Sequence, residues 1–358
     1  MNKEKSINWY APANRAVGYG VLGTFLAEAL DEKGLDVHYL ASDSPEEKNL
    51  SKEVIKMLTK EVMLDIPSVH LAPGNLMWQG GGKPKIGYTL LEVDRIPTTW
   101  VKQLNQMDDV WATSNFCKEA FENSGVEKKV KVIPGGVDMK LFNSFMPSIP
   151  ELKSTGTWKM FFVGKLETRK NIEGLCFAWQ KANLPVDKTE LFLMIDNPFV
   201  NINPFEFLWK IGAPKNIKLI NRVPDYKLMP RLFTSMDAFI TLSRGEGIGL
   251  PVLEAQACGL PSIVHNATGL KDYVSKDDTY LVETQEMVQA DDPVFGFNFK
   301  QGKWAEPDIN QAAELIRYVY EHKEEAEKQA QKAQKRVSKE LTWAKSAEKV
   351  VTSLREYL

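Results

Sequence analysis

Two glutamates, Glu246 and Glu254, stand in the stretch SRGEGIGLPVLEAQACGLP, residues 243–261. Glu246 lies in a glycine-rich turn. Glu254 falls in an apolar run that reads as a helix start, where an unpaired carboxylate is costly to bury. A carboxylate accepts hydrogen bonds from vicinal hydroxyls, so such a pair suits a hydroxyl-rich ligand and can hold sugar rings on either side of a phosphate. Between the two, the amides of Ile248, Gly249 and Leu250 fall at the predicted helix N-terminus, with Pro251 suited to its first position. That is a natural anion site. Chance spacing of solvated glutamates is the alternative, but it does not account for the glycines, the proline and the strand-like DAFITLS that precede them.

Two further loops carry candidate groups. VGKLETRKN places Lys165, Arg169 and Lys170 after a predicted strand, and cations there suit a diphosphate whose charge grows as a bond to it breaks. A solvated basic loop is the competing reading. No G-x-x-x-x-G-K-[ST] is present, which argues against a P-loop nucleotidase. AVGYGVLG offers Gly18 and Gly20 ahead of a helix, either to let backbone approach a ligand or to make a tight turn. It lacks the acidic residue that a dinucleotide fingerprint needs at the end of the second strand, so a nicotinamide cofactor loses ground. His38, His70, His265 and His322 show neither triad nor metal spacing and read as structural, His265 being the exception to watch. No D-x-D metal motif occurs, and no metal site is expected.

These groups need elements to position them. Short apolar runs alternate with helical patterns, which reads as α/β with mostly parallel sheets. SINWYA, LDVHYLA, VMLDI, PKIGYTLLE, DDVWATS and VKVIPGG are strand candidates in the first half. A linker candidate follows at NSFMPSIPELKSTGTWK, and the alternation restarts with KMFFVGK, TELFLMID, IKLINRV, DAFITLS and PSIVHN. Two doubly wound domains of similar size are expected, with ligands outside the carboxyl ends of the strands. Residues 276–308 read as a long irregular loop, and the charged C-terminal stretch from Glu306 as helix.

Composition narrows the classes. The chain has 358 residues, 43% of them hydrophobic and 26% charged, which accommodates two cores. A net charge of -2 argues against nucleic acid as a partner. Cys117, Cys176 and Cys258 are sparse and unpaired in spacing, as expected of reduced thiols in a cytoplasmic protein. The N-terminus lacks a secretory h-region, and no run approaches the roughly 18 apolar residues of a membrane span. In the helix-like SPEEKNLSKEVIKMLTKEVML, Lys48, Lys52, Lys56 and Lys60 are offset by Glu46, Glu47, Glu53 and Glu61, so membrane association is disfavoured.

EGIGLPVLEAQACGLPSIV resembles the E-x7-E signature of the retaining glycosyltransferases of family 4, which have the GT-B fold of two Rossmann-like domains facing a central cleft. VGKLETRKN resembles that family's phosphate-binding loop, VWATSNFCKEAFENSGVEKKVKVIPGGVDMKLF its segment ending the N-terminal domain, and LTWAKSAEKV its final helix. The resemblance implies an acceptor domain over 1–148, completed by a C-terminal helix at 340–358, and a nucleotide-sugar domain over 149–339.

It also implies roles. Glu254 would bind the ribose hydroxyls and Glu246 the transferred sugar, while the amides of Gly247, Ile248, Gly249 and Leu250 would contact sugar and phosphate. Lys170 would hold the diphosphate. Lys165, where the family more often has arginine, would assist without bidentate contact, and Arg169 would contribute. Arg222 and Val223, in NRVPDYKL, would meet the base. The family's N-terminal histidine is missing from KIGYTLLEVDRIP, leaving Tyr88, Glu92 or Asp94 for that neighbourhood.

The implied activity is metal-independent transfer, with retention, from a UDP-, GDP- or ADP-sugar to a glycan, small-molecule or lipid-linked acceptor. No cofactor is required. The competing readings are a catalytically silent sugar-nucleotide or glycan-binding module, and a phosphorylase or epimerase of the same fold. The acceptor and the oligomeric state have no sequence signal.

Overall fold

The computed structural model of the chain describes residues 5–45, 47–77, 81–292 and 297–357; Glu46 of the lysine-rich segment lies outside them. The chain divides into two compact units, residues 1–138 with 340–358, and residues 139–339.

The first unit is a six-stranded sheet of β1 (Ser6–Ala11), β2 (Asp36–Ala41), β3 (Ser68–Leu71), β4 (Lys85–Thr89), β5 (Asp109–Ala112) and β6 (Val130–Val132). Its order is β2-β1-β3-β4-β5-β6 and every pairing is parallel. Central strands of such a sheet are covered on both faces and become apolar throughout, which is why SINWYA is buried at every position. Helices α1 (Gly18–Glu32), α2 (Lys52–Leu58), α3 (Thr98–Leu104) and α4 (Asn115–Asn123) cover it.

The second unit opens with a short helix, α5 (Pro150–Lys153), and builds its sheet from β7 (Trp158–Val163), β8 (Thr189–Met194), β9 (Ile217–Leu219), β10 (Ala238–Thr241), β11 (Ser262–His265) and β12 (Tyr280–Val282). The order β12-β11-β10-β7-β8-β9 is again parallel throughout. It winds outward in both directions from the β10–β7 pair, the order of a nucleotide-binding Rossmann sheet. Helices α6 (Ile172–Ala182), α7 (Pro204–Lys210), α8 (Met229–Phe233) and α9 (Leu250–Ala257) connect the strands. An antiparallel ribbon of β13 (Thr284–Asp292) and β14 (Phe297–Pro307) follows, then α10 (Ile309–Glu321) and α11 (Lys323–Glu340). One face of the core stacks Trp158 on Trp179 at 6.4 Å, and the other sets Phe161 edge-on to Phe233 at 5.5 Å.

The last helix, α12 (Trp343–Leu354), belongs to the first unit. Trp343 stacks on Phe25 of α1 at 6.0 Å, and Glu348 pairs with Lys33 at 2.9 Å.

Four sequence expectations need correction. The division falls at 138/139 rather than 148/149, because residues after Met139 pack on the second unit: Phe142 meets Tyr226 and Phe233, and the Ile149 amide donates to Ser235 Oγ. The irregular loop expected at 276–308 contains β12 and the ribbon, whose alternation the clustered Asp, Pro and Gly residues hid. VMLDI is not a strand; β3 begins at Ser68, beyond Pro67. Gly18 and Gly20 are in the first turn of α1 rather than in a loop before it.

Candidate functional site

Loops leaving the β10–β7 pair meet at the point where strand order reverses, and both carry candidate residues. After β7 the chain passes Gly164 and Lys165 into a 3-10 turn, Thr168–Lys170, and then Asn171. Asn171 takes a left-handed conformation, φ 53°, and its side chain accepts from the Gly174 amide, capping α6. After β10 the chain runs through Ser243–Gly249 into α9. Gly249 has φ 78°, and a Cβ there would sit 2.3 Å from Leu270 Cδ2, so this helix start needs glycine. Pro251 is the second residue of α9, not the first.

The two loops are joined by charge. Lys170 Nζ lies 2.5 Å from Glu246 Oε1, and Arg169 Nη1 lies 3.3 Å from Glu246 Oε2 and donates to the Gly245 carbonyl at 2.9 Å. Glu167 takes Lys165 at 2.5 Å and Arg169 at 3.0 Å. Lys165, Arg169 and Lys170 thus stand with Glu167 and Glu246 in one largely buried cluster. Burial pushes the Glu246 carboxyl up, but Lys170 and then Arg169 outweigh it and hold it below its ordinary range. Glu167 is lowered likewise, burial being overcome by Arg169, Lys165 and Lys170. For Lys170 burial dominates and lowers the ammonium, with Glu246 opposing.

Glu254, on α9, sits in a different field. It is 5% exposed and burial raises it to about 7, partly countered by the Tyr226 hydroxyl, which donates to Oε1. Tyr226 packs edge-on to Phe142 at 5.6 Å. Near neutral pH this carboxyl stands on the border between proton donor and pure acceptor.

Residues outside the sequence expectation hold the glycine loop. Thr268 Oγ1 accepts from the Glu246 amide at 2.9 Å, and the Gly269 amide donates to the Glu246 carbonyl at 2.9 Å. His265 Nδ1 meets the Ser243 carbonyl at 2.8 Å and Nε2 meets Thr284 Oγ1 at 3.0 Å. Buried and lowered by that burial, His265 is a strut beneath the loop rather than an exposed base. Arg244 donates to the Thr168 carbonyl at 2.8 Å and pairs with Glu306 of β14. The sequence signal for Thr268 and Gly269 was the Thr-Gly pair after PSIVHN. Glu306 had none, because nothing local links the ribbon to the glycine loop.

Other candidates fall elsewhere. Lys165 is turned toward Glu167 and the Phe199 ring, 5.0 Å away, and does not pair with Glu246. The Arg222 amide donates to Asp196 Oδ2 at 2.8 Å, and Val223 follows it, both half-buried. Gly247, Ile248 and Leu250 are buried with the loop. In the first unit, Gly18 is exposed, with open space where a Cβ would stand, while a Cβ at Gly20 would lie 1.9 Å from the Asn14 carbonyl oxygen. Gly20 therefore has a packing reason of its own. Tyr88 is fully buried with its hydroxyl on the Ile133 carbonyl, whereas Glu92 and Asp94 are half-buried. His38 meets the Glu61 carbonyl, His70 stacks on Tyr10 at 4.6 Å, and His322 stacks on Tyr318 at 4.1 Å. Cys117, Cys176 and Cys258 are buried free thiols. Among the described residues, no group of three or more His, Cys, Asp or Glu is arranged to hold a metal ion, and no helix is long and apolar enough to cross a membrane.

The chain is similar to known proteins in sequence and in fold. Residues 148–292 match the family described as Glycosyl transferases group 1. The O-antigen chain mannosyltransferase B of Escherichia coli is 34% identical over 133 residues, 36% of this chain and 33% of its own length. The N-acetyl-alpha-D-glucosaminyl L-malate synthase of Bacillus anthracis is 24% identical over 317 residues, 74% of this chain and 80% of its own. Among solved structures, Anabaena Alr3699/HepE in complex with UDP and glucose superposes with a TM-score of 0.71 at 15% identity, covering 98% of this chain and 100% of that one. The fold is GT-B, residues 148–292 are similar to glycosyltransferases, and the chain spans a third of the length of the first of these relatives.

Proposed function

We propose that the protein transfers a sugar, with retention and without a metal ion, from a nucleotide diphosphate sugar to an acceptor hydroxyl. The observation that carries this reading is the Lys170–Glu246 pair at the head of α9, with Glu254 further along the same helix. Lys170 and Arg169 take the diphosphate, Lys165 adds positive charge at its margin, and the amides of Gly247, Ile248, Gly249 and Leu250 accept what lies between phosphate and sugar. Glu246 receives the hydroxyls of the moving sugar, Glu254 those of the ribose, and Arg222 and Val223 the base. As the sugar–phosphate bond lengthens, negative charge grows on the diphosphate where the positive charge of Lys170, Arg169 and Lys165 already converges. That charge is fixed before the reaction starts, so it stabilises the leaving group without reorganising.

HepE is described in complex with UDP and glucose, which supports a UDP-sugar as the first donor to try. The likenesses to a mannosyltransferase and to an N-acetyl-alpha-D-glucosaminyl L-malate synthase leave the sugar and acceptor open. Acceptor binding is assigned to the first unit. Incubation with UDP-, GDP- and ADP-sugars plus a panel of glycan, small-molecule and lipid-linked acceptors tests the reading. Release of nucleoside diphosphate in the presence of chelator, with an unchanged anomeric configuration by NMR, is the expected result. Tight donor binding with no turnover on any acceptor would favour a silent binding module instead.

A further inference from the structure

The stretch from Asn197 to Leu219 exposes large apolar side chains that neither the sheet nor the site uses. Trp209 is 80% exposed and Phe205 69%. Phe205 and Trp209 are four residues apart on α7 and so share one helix face, while Phe207 and Leu208 turn inward to the core. With Ala213, Pro214, Ile217 and Leu219 they line a shallow groove beside β9. Single exposed apolar residues need no explanation, but a contiguous aromatic face marks an interaction surface.

The charge around the face selects its occupant. Within this stretch, Lys210, Lys215 and Lys218 stand against one carboxylate, Glu206, which Lys210 already pairs at 2.7 Å. Tryptophan and phenylalanine framed by lysines is the composition of a surface that sits at a lipid headgroup boundary. A second copy of the chain is the competing occupant, because β9 ends its sheet among the described residues. Lys218, exposed in the middle of β9, opposes that: a lysine on an edge strand puts like charges together when two such edges pair.

We propose that the α7 face, through Phe205 and Trp209 with Lys215 and Lys218 beside them, docks the protein onto an anionic lipid bilayer. The lysine-rich segment at 44–64 plays no part, and the docking does not depend on the reaction assigned above. The rings enter the headgroup–acyl boundary and the ammoniums meet lipid phosphates.

Sedimentation of the full chain with vesicles tests this. Phosphatidylcholine vesicles containing phosphatidylglycerol should pellet the protein, and added salt should release it. Pure phosphatidylcholine vesicles should bind it about tenfold less. The double variant Phe205→Ser/Trp209→Ser should lose at least about tenfold in binding at an unchanged unfolding midpoint, since both side chains are exposed. Lys215→Glu/Lys218→Glu should lose binding to the anionic vesicles alone. If the double variant unfolds, Trp209→Ala replaces it, and vesicles should then elicit a smaller blue shift of indole fluorescence than in the parent. Absence of binding, binding unaffected by these variants, or a vesicle-free dimer that Phe205→Ser/Trp209→Ser dissociates would each overturn the proposal. Because no donor or acceptor enters the assay, its outcome is independent of sugar transfer.

Discussion

Glu306 of the ribbon grips the guanidinium of Arg244 through both carboxylate oxygens, with Nη2 to Oε1 at 3.1 Å. Arg244 in turn donates to the carbonyls of Thr168 and Arg169, through Nη1 at 2.8 Å and its amide at 2.7 Å. Asn171 Nδ2 reaches the same glutamate at 3.4 Å. The loop bearing Lys170, the loop bearing Glu246 and the end of β14 are therefore fastened at one guanidinium. That places the ribbon in the support of the site.

A double-mutant cycle on this clamp should find coupling. Arg244→Lys keeps the charge but loses the fork, and Glu306→Gln keeps the shape but loses the charge. Each should lower kcat more than it raises KM for the donor. The two effects combined should fall short of their sum by about 0.5–3 kcal/mol. Strict additivity would mean that Arg244 and Glu306 do not act on turnover through one another.

Breaking the central ion pair should be expensive. Lys170→Met leaves Glu246 buried with Arg169 as its remaining cation, and losing one partner of a buried pair costs about 3–5 kcal/mol. Chemical denaturation should show that loss, and donor affinity should fall with it. Glu246→Gln removes the charge instead. It leaves the buried Lys170 without its paired carboxylate, so it should also unfold at a lower temperature, and it should turn over at least about a hundredfold more slowly. A Glu246→Gln variant with parental kcat would remove this carboxylate from the chemistry.

Glu254 gives the site a pH dependence of its own. Its carboxyl is raised from 4.5 to about 7 by burial. The folded protein therefore binds this proton where the unfolded chain has lost it, so the contribution to stability is present at low pH and is lost as pH rises through that window. Ribose hydroxyls donate, and only the ionised carboxylate is a pure acceptor. Calorimetry with UDP-glucose should show affinity rising about tenfold from about pH 6 to about pH 8, opposite in sign to the stability term. Glu254→Gln should flatten both profiles.

At Gly249 the backbone itself is the constraint. Gly249→Ala adds a Cβ at positive φ and drives it into Leu270, so stability should fall by about 1–3 kcal/mol in thermal unfolding. Adding Leu270→Ala should relieve the clash but not the φ penalty. It should also open a core cavity of its own, so the pair must be compared with Leu270→Ala alone.

Much of this was legible in the sequence because local rules coincide with the global fold. β7, β8 and β10 are short apolar runs bounded by turn residues, and parallel sheets demand that pattern. The loops carrying Lys170 and Glu246 follow those strands directly, so finding the strands located the cations and the carboxylate. Hidden features are those made by distance along the chain. Glu306 is remote from Arg244 in sequence, and Tyr226 reads as an ordinary residue of a polar loop until its hydroxyl is seen on Glu254. Gly20 is ambiguous in sequence because a glycine needed for packing on Asn14 looks the same as one cleared for a ligand.

The return of α12 to α1 has a consequence for how the molecule is made. Trp343 completes its stack on Phe25 only after residues 139–339, which form one uninterrupted unit, have been synthesised. On the ribosome, the unit translated first is the one that must wait. Its α1 presents an uncovered apolar stripe until the last helix emerges, while the later-encoded sheet can close beforehand. Birth order and completion order are thus reversed, and a ribosome stalled before Trp343 strands the earlier half unfinished.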